Sequence, residues 1–199
     1  MKELKIRVTF TEAVLGTWPN NEAIAEEFIA SKAPDAGTIK DEIEAIGVDA
    51  VTEKGMTVFP RNMDGVPCFY DYQIKGMFKD SCGMLSRLKG SGNESSQFKA
   101  YKKVIDGLIF VSPRMIPINV NGEIGTCQRP LRAQTPQGER VSLAMSEEIP
   151  AGSTFECTIT CMDDANVKAV KEWLDYGALR GMGQWRNSGK GRYVWEEMG

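Results

Sequence analysis

The sequence predicts an α+β fold on three observations. Residues 4–10, LKIRVTF, alternate apolar and polar side chains with β-branching, as a half-buried strand does. Residues 165–176 repeat apolar side chains at helical spacing instead, with Val167, Val170, Trp173 and Leu174 as candidate core positions. Between them, residues 115–162 are strand-like and punctuated by Asn121-Gly122, Gln137-Gly138 and Ala151-Gly152, dipeptides that favour turns.

Taken in order, residues 4–10 form the first strand. Asn20 or Asn21 can cap a helix to about residue 31, with Ile24, Phe28 and Ile29 on one face. Thr38 can cap a second to about residue 46, turning Ile39, Ile43 and Ile46 inward. This pair reads as a helical insertion over residues 20–53. It is acidic, with nine carboxylates from Glu22 to Glu53 against Lys32 and Lys40. Residues 56–59 and 68–73 suggest a hairpin turning near Asp64-Gly65. A helix over 75–88, a polar Gly/Ser connection over 89–97 and a helix over 98–106 follow, then the strand LIFVSP. The helix at 165–176 leads to a closing strand at 193–195. Strand, helix, two strands, helix and strand is the ferredoxin-like (RRM-like) order, an antiparallel sheet with helices on one face. There is no internal repeat, and a chain of 199 residues suits one core. A single domain over 1–199 is expected, carrying the insertion.

The chain contains no histidine, which excludes Ser–His and Cys–His nucleophilic pairs, imidazole bases and His-built zinc sites. Cys68, Cys82, Cys127, Cys157 and Cys161 are odd in number and lack C-x-x-C spacing, so buried thiols are expected and not a metal or disulfide framework. Chemistry would have to rest on carboxylates with a metal. Glu12, Asp35 and Asp64 stand near turns or loops but belong to no readable cluster. No enzymatic activity, metal or cofactor is expected, with a metal-dependent ribonuclease as the alternative. No apolar run approaches the roughly 20 residues that span a bilayer, and no cleavable leader is evident. A soluble, cytoplasmic protein is expected.

The net charge of −3 averages over an uneven chain. From residue 73 to 103, Lys75, Lys79, Arg87, Lys89, Lys99, Lys102 and Lys103 face only Asp80 and Glu94. Such asymmetry suits a nucleic-acid footprint, although a solvated face gives the same pattern. A second cationic stretch is ALRGMGQWRNSGKGRYVW, residues 178–195. It is no P-loop: Gly191 follows Lys190 where Ser or Thr is needed, and too little chain remains for a helix. Glycines let backbone approach a polyanion, and nearby cations neutralise phosphates. Gly181, Gly183, Gly189 and Gly191 with Arg180, Arg186, Lys190 and Arg192 supply both, and Trp185 adds a stacking surface. The competing reading packs Trp185 on the sheet and leaves the arginines solvated.

Three segments resemble the RAMP superfamily, the ferredoxin-like proteins of CRISPR effector complexes. YQIKGMFKDSCGML, residues 72–85, is similar to that family's strand-to-helix step "s-x-K-G-x-x-R", with Ile74 before Lys75-Gly76 and Lys79 in the arginine position. EEIPAGSTFECTITC, residues 147–161, resembles its "v-P-x-G-t-x-F" strand. Residues 177–192 resemble its C-terminal glycine-rich loop. The resemblance covers the skeleton of the chain and not the acidic insertion. It implies single-stranded RNA as partner, a CRISPR guide RNA among the candidates, bound through that loop and through Lys75 and Lys79. It also implies a protruding hairpin, or thumb. Residues 125–140, with Arg129, Arg132 and Arg140, or residues 56–68 are its two candidates. Head-to-tail self-association or contact with CRISPR effector subunits would accompany assembly. A viral mimic that obstructs such an assembly would carry the same surface.

Overall fold

The computed structural model describes residues 1–20, 56–88, 92–135 and 138–199. The predicted insertion therefore lies outside the described residues, apart from Asn20. In chain order the elements are β1 (Lys2–Phe10), β2 (Val14–Leu15), β3 (Trp18–Pro19), β4 (Thr57–Val58), β5 (Cys68–Tyr70), α1 (Asp71–Leu85), α2 (Tyr101–Leu108), β6 (Ile109–Ser112), β7 (Met115–Asn119), β8 (Gly125–Thr135), β9 (Gly138–Ile149), β10 (Thr154–Cys161), α3 (Asp164–Arg180) and β11 (Tyr193–Glu197). Short 3-10 turns occupy Glu94–Gln97 and Arg186–Ser188. Two compact units result: Met1–Val14 with Pro60–Glu123 and Ile149–Gly199, and Leu15–Phe59 with Ile124–Glu148.

The first unit is built on a sheet ordered β11-β1-β10-β7-β5, with β6 also paired to β10. Every pairing in it is antiparallel. The second core strand comes in two pieces: β6 pairs with the Thr158–Cys161 end of β10 and β7 with Thr154 and Phe155. With those pieces taken as one strand, the order is that of the ferredoxin-like fold the sequence predicts.

The period-two alternation of β1 buries Leu4, Ile6, Val8 and Phe10, and that of β10 buries Phe155, Cys157, Ile159 and Cys161. Onto this face α1 turns Ile74, Met77, Phe78 and Cys82, and α3 turns Ala169, Val170, Trp173 and Leu174. Val167, expected inward, is half-buried. Trp173 is fully enclosed, its ring 5.7 Å from both Phe78 and Phe98. Each large side chain so buried stabilises the unit by about 1.5–3 kcal/mol before ordering costs. None of the five cysteines is in a disulfide, and all but the half-buried Cys127 are buried.

Several boundaries differ from the sequence reading for local reasons. The strand expected to reach Gln73 stops at Tyr70, whose N–H donates to the Gln73 side chain at 2.7 Å and opens α1 four residues before Lys75. Helix α3 is capped by Asp163, which accepts from the Asn166 N–H at 2.7 Å, and runs on to Arg180. The turn at Asp64-Gly65 is present, closed by Asn62 Oδ1 accepting from Asp64 and Val66 N–H. Beside it Arg61 bridges Pro67 antiparallel and the Cys68 N–H donates to Pro60 O at 2.8 Å, but the strands further out part: β5 pairs with β7, while β4 pairs with β3 and β9 in the other sheet.

That second sheet, order β2-β9-β4-β3 with β8 on β9, makes up the second unit. Its main feature is a long hairpin, paired from Gly125↔Glu148 to Thr135↔Gly138. Pro130 sits within β8. It is tolerated because β8 pairs only with β9 among the described strands, so a missing N–H on its other side breaks no ladder bond. β4 lies parallel to β9, with the Thr57 and Ser146 hydroxyls 2.7 Å apart and the Phe59 N–H donating to Glu147 Oε2 at 2.8 Å. No helix among the described residues is long and apolar enough to cross a membrane.

Candidate nucleic-acid interface

The glycine-rich loop closes on itself through backbone bonds. Gly181 ends α3 in the left-handed region, φ +85°, with its N–H on the Gly177 carbonyl at 2.7 Å. The chain then bends through Arg186–Ser188 and returns, so that Met182 N–H donates to Gly191 O at 2.9 Å. Gly191 N–H donates to Ala13 O at 2.9 Å, and Arg192 O accepts from Thr11 and Glu12 at 2.9 and 3.3 Å. The two legs run so close that a Cβ on Gly191 would stand 2.9 Å from Met182 N and C, and nearer still to its oxygen. A Cβ on Gly181 would likewise meet the Lys190 carbonyl oxygen. These two glycines therefore hold the loop shut whatever it binds. Gly183 and Gly189 stand on the bend between the legs.

At the bend Trp185 is 42% exposed and adopts φ +54°, a left-handed conformation that costs a non-glycine residue about 1–2 kcal/mol. Ser188 secures it, donating its N–H and its hydroxyl to Trp185 O at 3.0 and 2.8 Å. The tryptophan does not pack away into the core. It stands outward next to Arg186, with Lys190 half-buried and Arg192 exposed on the returning leg.

Most of the predicted cations have protein partners. Arg186 Nη1 donates to Asp80 Oδ2 at 2.7 Å, and Arg180 Nε lies 3.5 Å from the same oxygen. Arg180 also donates from Nη1 to Asn187 Oδ1 at 2.8 Å. In α1, Lys79 pairs with the Asp106 carboxylate at 2.6 Å. Lys75 donates to the Asp106 carbonyl at 3.3 Å and lies 5.1 Å from the Phe110 ring centre. The loop and helix-start cations are thus joined into two clusters along one helix, centred on Asp80 and Asp106. Neither aspartate stands out in the sequence as part of a site, and Asn187 gives no signal there either. A third feature missed by sequence is Tyr72, exposed at the start of α1 and stacked on Tyr70 with ring centres 5.2 Å apart.

The second cationic segment lies in the other unit. Arg129, expected in a turn-rich connection, is in mid-strand opposite Ala144 and only 6% exposed. Arg132 stands opposite Val141 and Arg140 opposite Ala133, all on the β8–β9 hairpin. Of the carboxylates weighed for catalysis, Glu12 and Asp64 are exposed, and Asp35 lies outside the described residues. Among the described residues no group of three or more His, Cys, Asp or Glu could hold a metal ion.

No protein-family model matches the chain, and no curated protein matches it in sequence. Solved structures do match. Over 99% of its length the chain is similar to a chain of the type III-B Cmr-beta complex bound to cognate target RNA, with a TM-score of 0.55 and 11% identity. The match spans 61% of that chain, about three-fifths of its length. A chain of a type IV-B CRISPR complex aligns over 99% of this chain and 90% of its own, with a TM-score of 0.46 and 10% identity. With identity this low, the Cmr-beta likeness is one of fold, and it agrees with the antiparallel α+β architecture described above.

Proposed function

We propose that this chain is a non-enzymatic, CRISPR-related protein that binds single-stranded RNA along the C-terminal loop and the start of α1. The observation that carries the reading is the loop itself: a backbone-locked bend that holds Trp185 exposed beside Arg186, Lys190 and Arg192. A large aromatic held 42% exposed in a backbone conformation that costs energy, next to phosphate-neutralising cations, suits stacking on single strands. The fold likeness to a chain of an RNA-bound Cmr-beta complex supports the same assignment. The guide RNA and the effector subunits of such a complex are the partners this reading favours.

The test is fluorescence anisotropy of a labelled single-stranded RNA against wild type and an Arg186→Ala, Lys190→Ala, Arg192→Ala triple variant over a salt series. Each lost phosphate contact reduces the slope of log K against log salt by about 0.7 and weakens binding across sequences alike. A folded triple variant that binds as tightly as wild type removes the loop from the interface. Cleavage of RNA with magnesium or manganese, lost on substitution of Glu12 or Asp64, would replace the non-enzyme reading with a nuclease.

A further inference from the structure

We propose that Asp80 occupies a phosphate seat formed by Arg180, Arg186 and Asn187, and that an RNA phosphate displaces its carboxylate from that seat on binding. The inference rests on the RNA-binding reading above and adds to it a residue that opposes binding.

Three features of the cluster point this way. Two guanidiniums share one carboxylate, leaving a local excess of one positive charge. A single oxygen, Asp80 Oδ2, serves both, well placed for Arg186 at 2.7 Å and poorly for Arg180 at 3.5 Å. Arg180 Nε is buried and makes no hydrogen bond at all, a donor of the kind that folded proteins rarely leave unsatisfied. The helix that carries Asp80 is anchored by the buried Ser81 and Cys82, and Asn187 holds Arg180 through its Nη1. A phosphodiester carries two non-bridging oxygens and can accept from both arginines at once, which one carboxylate oxygen does not. The side chains of Asp80, Arg180 and Arg186 are 33, 31 and 27% exposed, so a backbone phosphate can approach the cluster from solvent, with Arg180 Nε itself covered while the carboxylate is in place. Asp80 thus keeps the two arginines ordered before binding and competes with the strand for them.

Asp80→Asn is the direct test, since the amide oxygen still accepts from Arg186 while the charge is removed. Affinity for single-stranded RNA is expected to rise about three- to tenfold, with the salt slope steeper by about 0.7. The gain should vanish when Arg180→Ala and Arg186→Ala are added. Unchanged or weaker binding by folded Asp80→Asn, with the loop triple variant still impaired, overturns this proposal and leaves the RNA-binding reading standing. Wild-type affinity in the triple variant defeats that reading instead. If Asp80→Asn proves unstable, the arginine Nε–H resonances of wild-type protein decide the matter. Saturable shifts of Arg180 and Arg186 on adding RNA are expected. Shifts with inorganic phosphate and none with RNA contradict the assignment to a nucleic-acid phosphate.

Discussion

Replacing Gly191 by alanine separates the structural role of the loop glycines from any ligand role. At φ +72° an alanine costs about 1 kcal/mol in backbone strain alone. Its Cβ would also meet the Met182 backbone at 2.9 Å or less, so the legs of the loop must part. Parting them breaks or lengthens the Met182 N–H to Gly191 O bond and the Gly191 N–H to Ala13 O bond, at about 1 kcal/mol each. The sum is about 2–3 kcal/mol. In a chain of this size that lowers Tm by about 4–12 °C. Gly189→Ala is the matched control: its φ of +90° carries the strain, but the nearest atoms to its Cβ are those of the Arg192 side chain at 3.9 Å. Its loss should be about 1 kcal/mol, or about 2–4 °C. Calorimetry on the two variants and wild type reads the difference directly. Equal melting of Gly191→Ala and Gly189→Ala would refute the close-approach argument, because strain is common to both and only the backbone collision differs.

Ser95→Ala should cost about 1–3 kcal/mol in denaturant unfolding, because it strands the buried Trp173 indole N–H, now 2.9 Å from Ser95 Oγ, and removes a hydroxyl donor to Glu172. Trp185→Ala should weaken single-stranded RNA binding by about 1–3 kcal/mol in anisotropy titrations if a base stacks on its exposed face. Burial pushes the Cys82 and Cys161 thiols up to about 11 and Cys157 up to about 12, from 9.0 for an open thiol. The folded state therefore keeps these protons longer than the unfolded chain. Their stabilising contribution is complete below pH 9 and is lost as pH rises from there through 11 and 12. Urea midpoints should stay level from pH 7 to 9 and fall above it, and a rise above pH 9 would contradict the assignment.

The parts of the fold that were legible are those whose pattern is local. β1 and β10 show their period of two and α3 its period near 3.6. What stayed hidden was pairing. β4 is two residues long and carries no periodicity, so nothing in Thr57-Val58 says that it joins β3 and β9 and not β5. Pro130 shows the same limit from the other side. Its chemistry forbids a central strand but permits an edge, and whether β8 is an edge depends on the whole sheet.

The candidate site divides the same way, and the division can be measured. In the first unit residue type marks Lys75, Lys79, Arg180, Arg186, Lys190 and Arg192 as six cations, but the carboxylates that hold three of them, and the carbonyl that holds Lys75, are distant in the chain. Asp80 and Arg186 are separated by 106 positions, and Lys79 finds Asp106 across α1 and α2. Six cations counted from sequence imply a salt slope of about −4 for single-stranded RNA if each neutralises one phosphate. The Asp80 and Asp106 carboxylates stay near the strand even where a phosphate takes the place of Asp80 on its arginines, so the net charge offered is four and the slope falls to about −3. A slope near −4 in wild type would mean that both carboxylates move away from the strand altogether on binding or that cations from elsewhere take part. A slope near −3 that steepens in Asp80→Asn places the carboxylate where the geometry has it, inside the phosphate-binding surface and opposed to it.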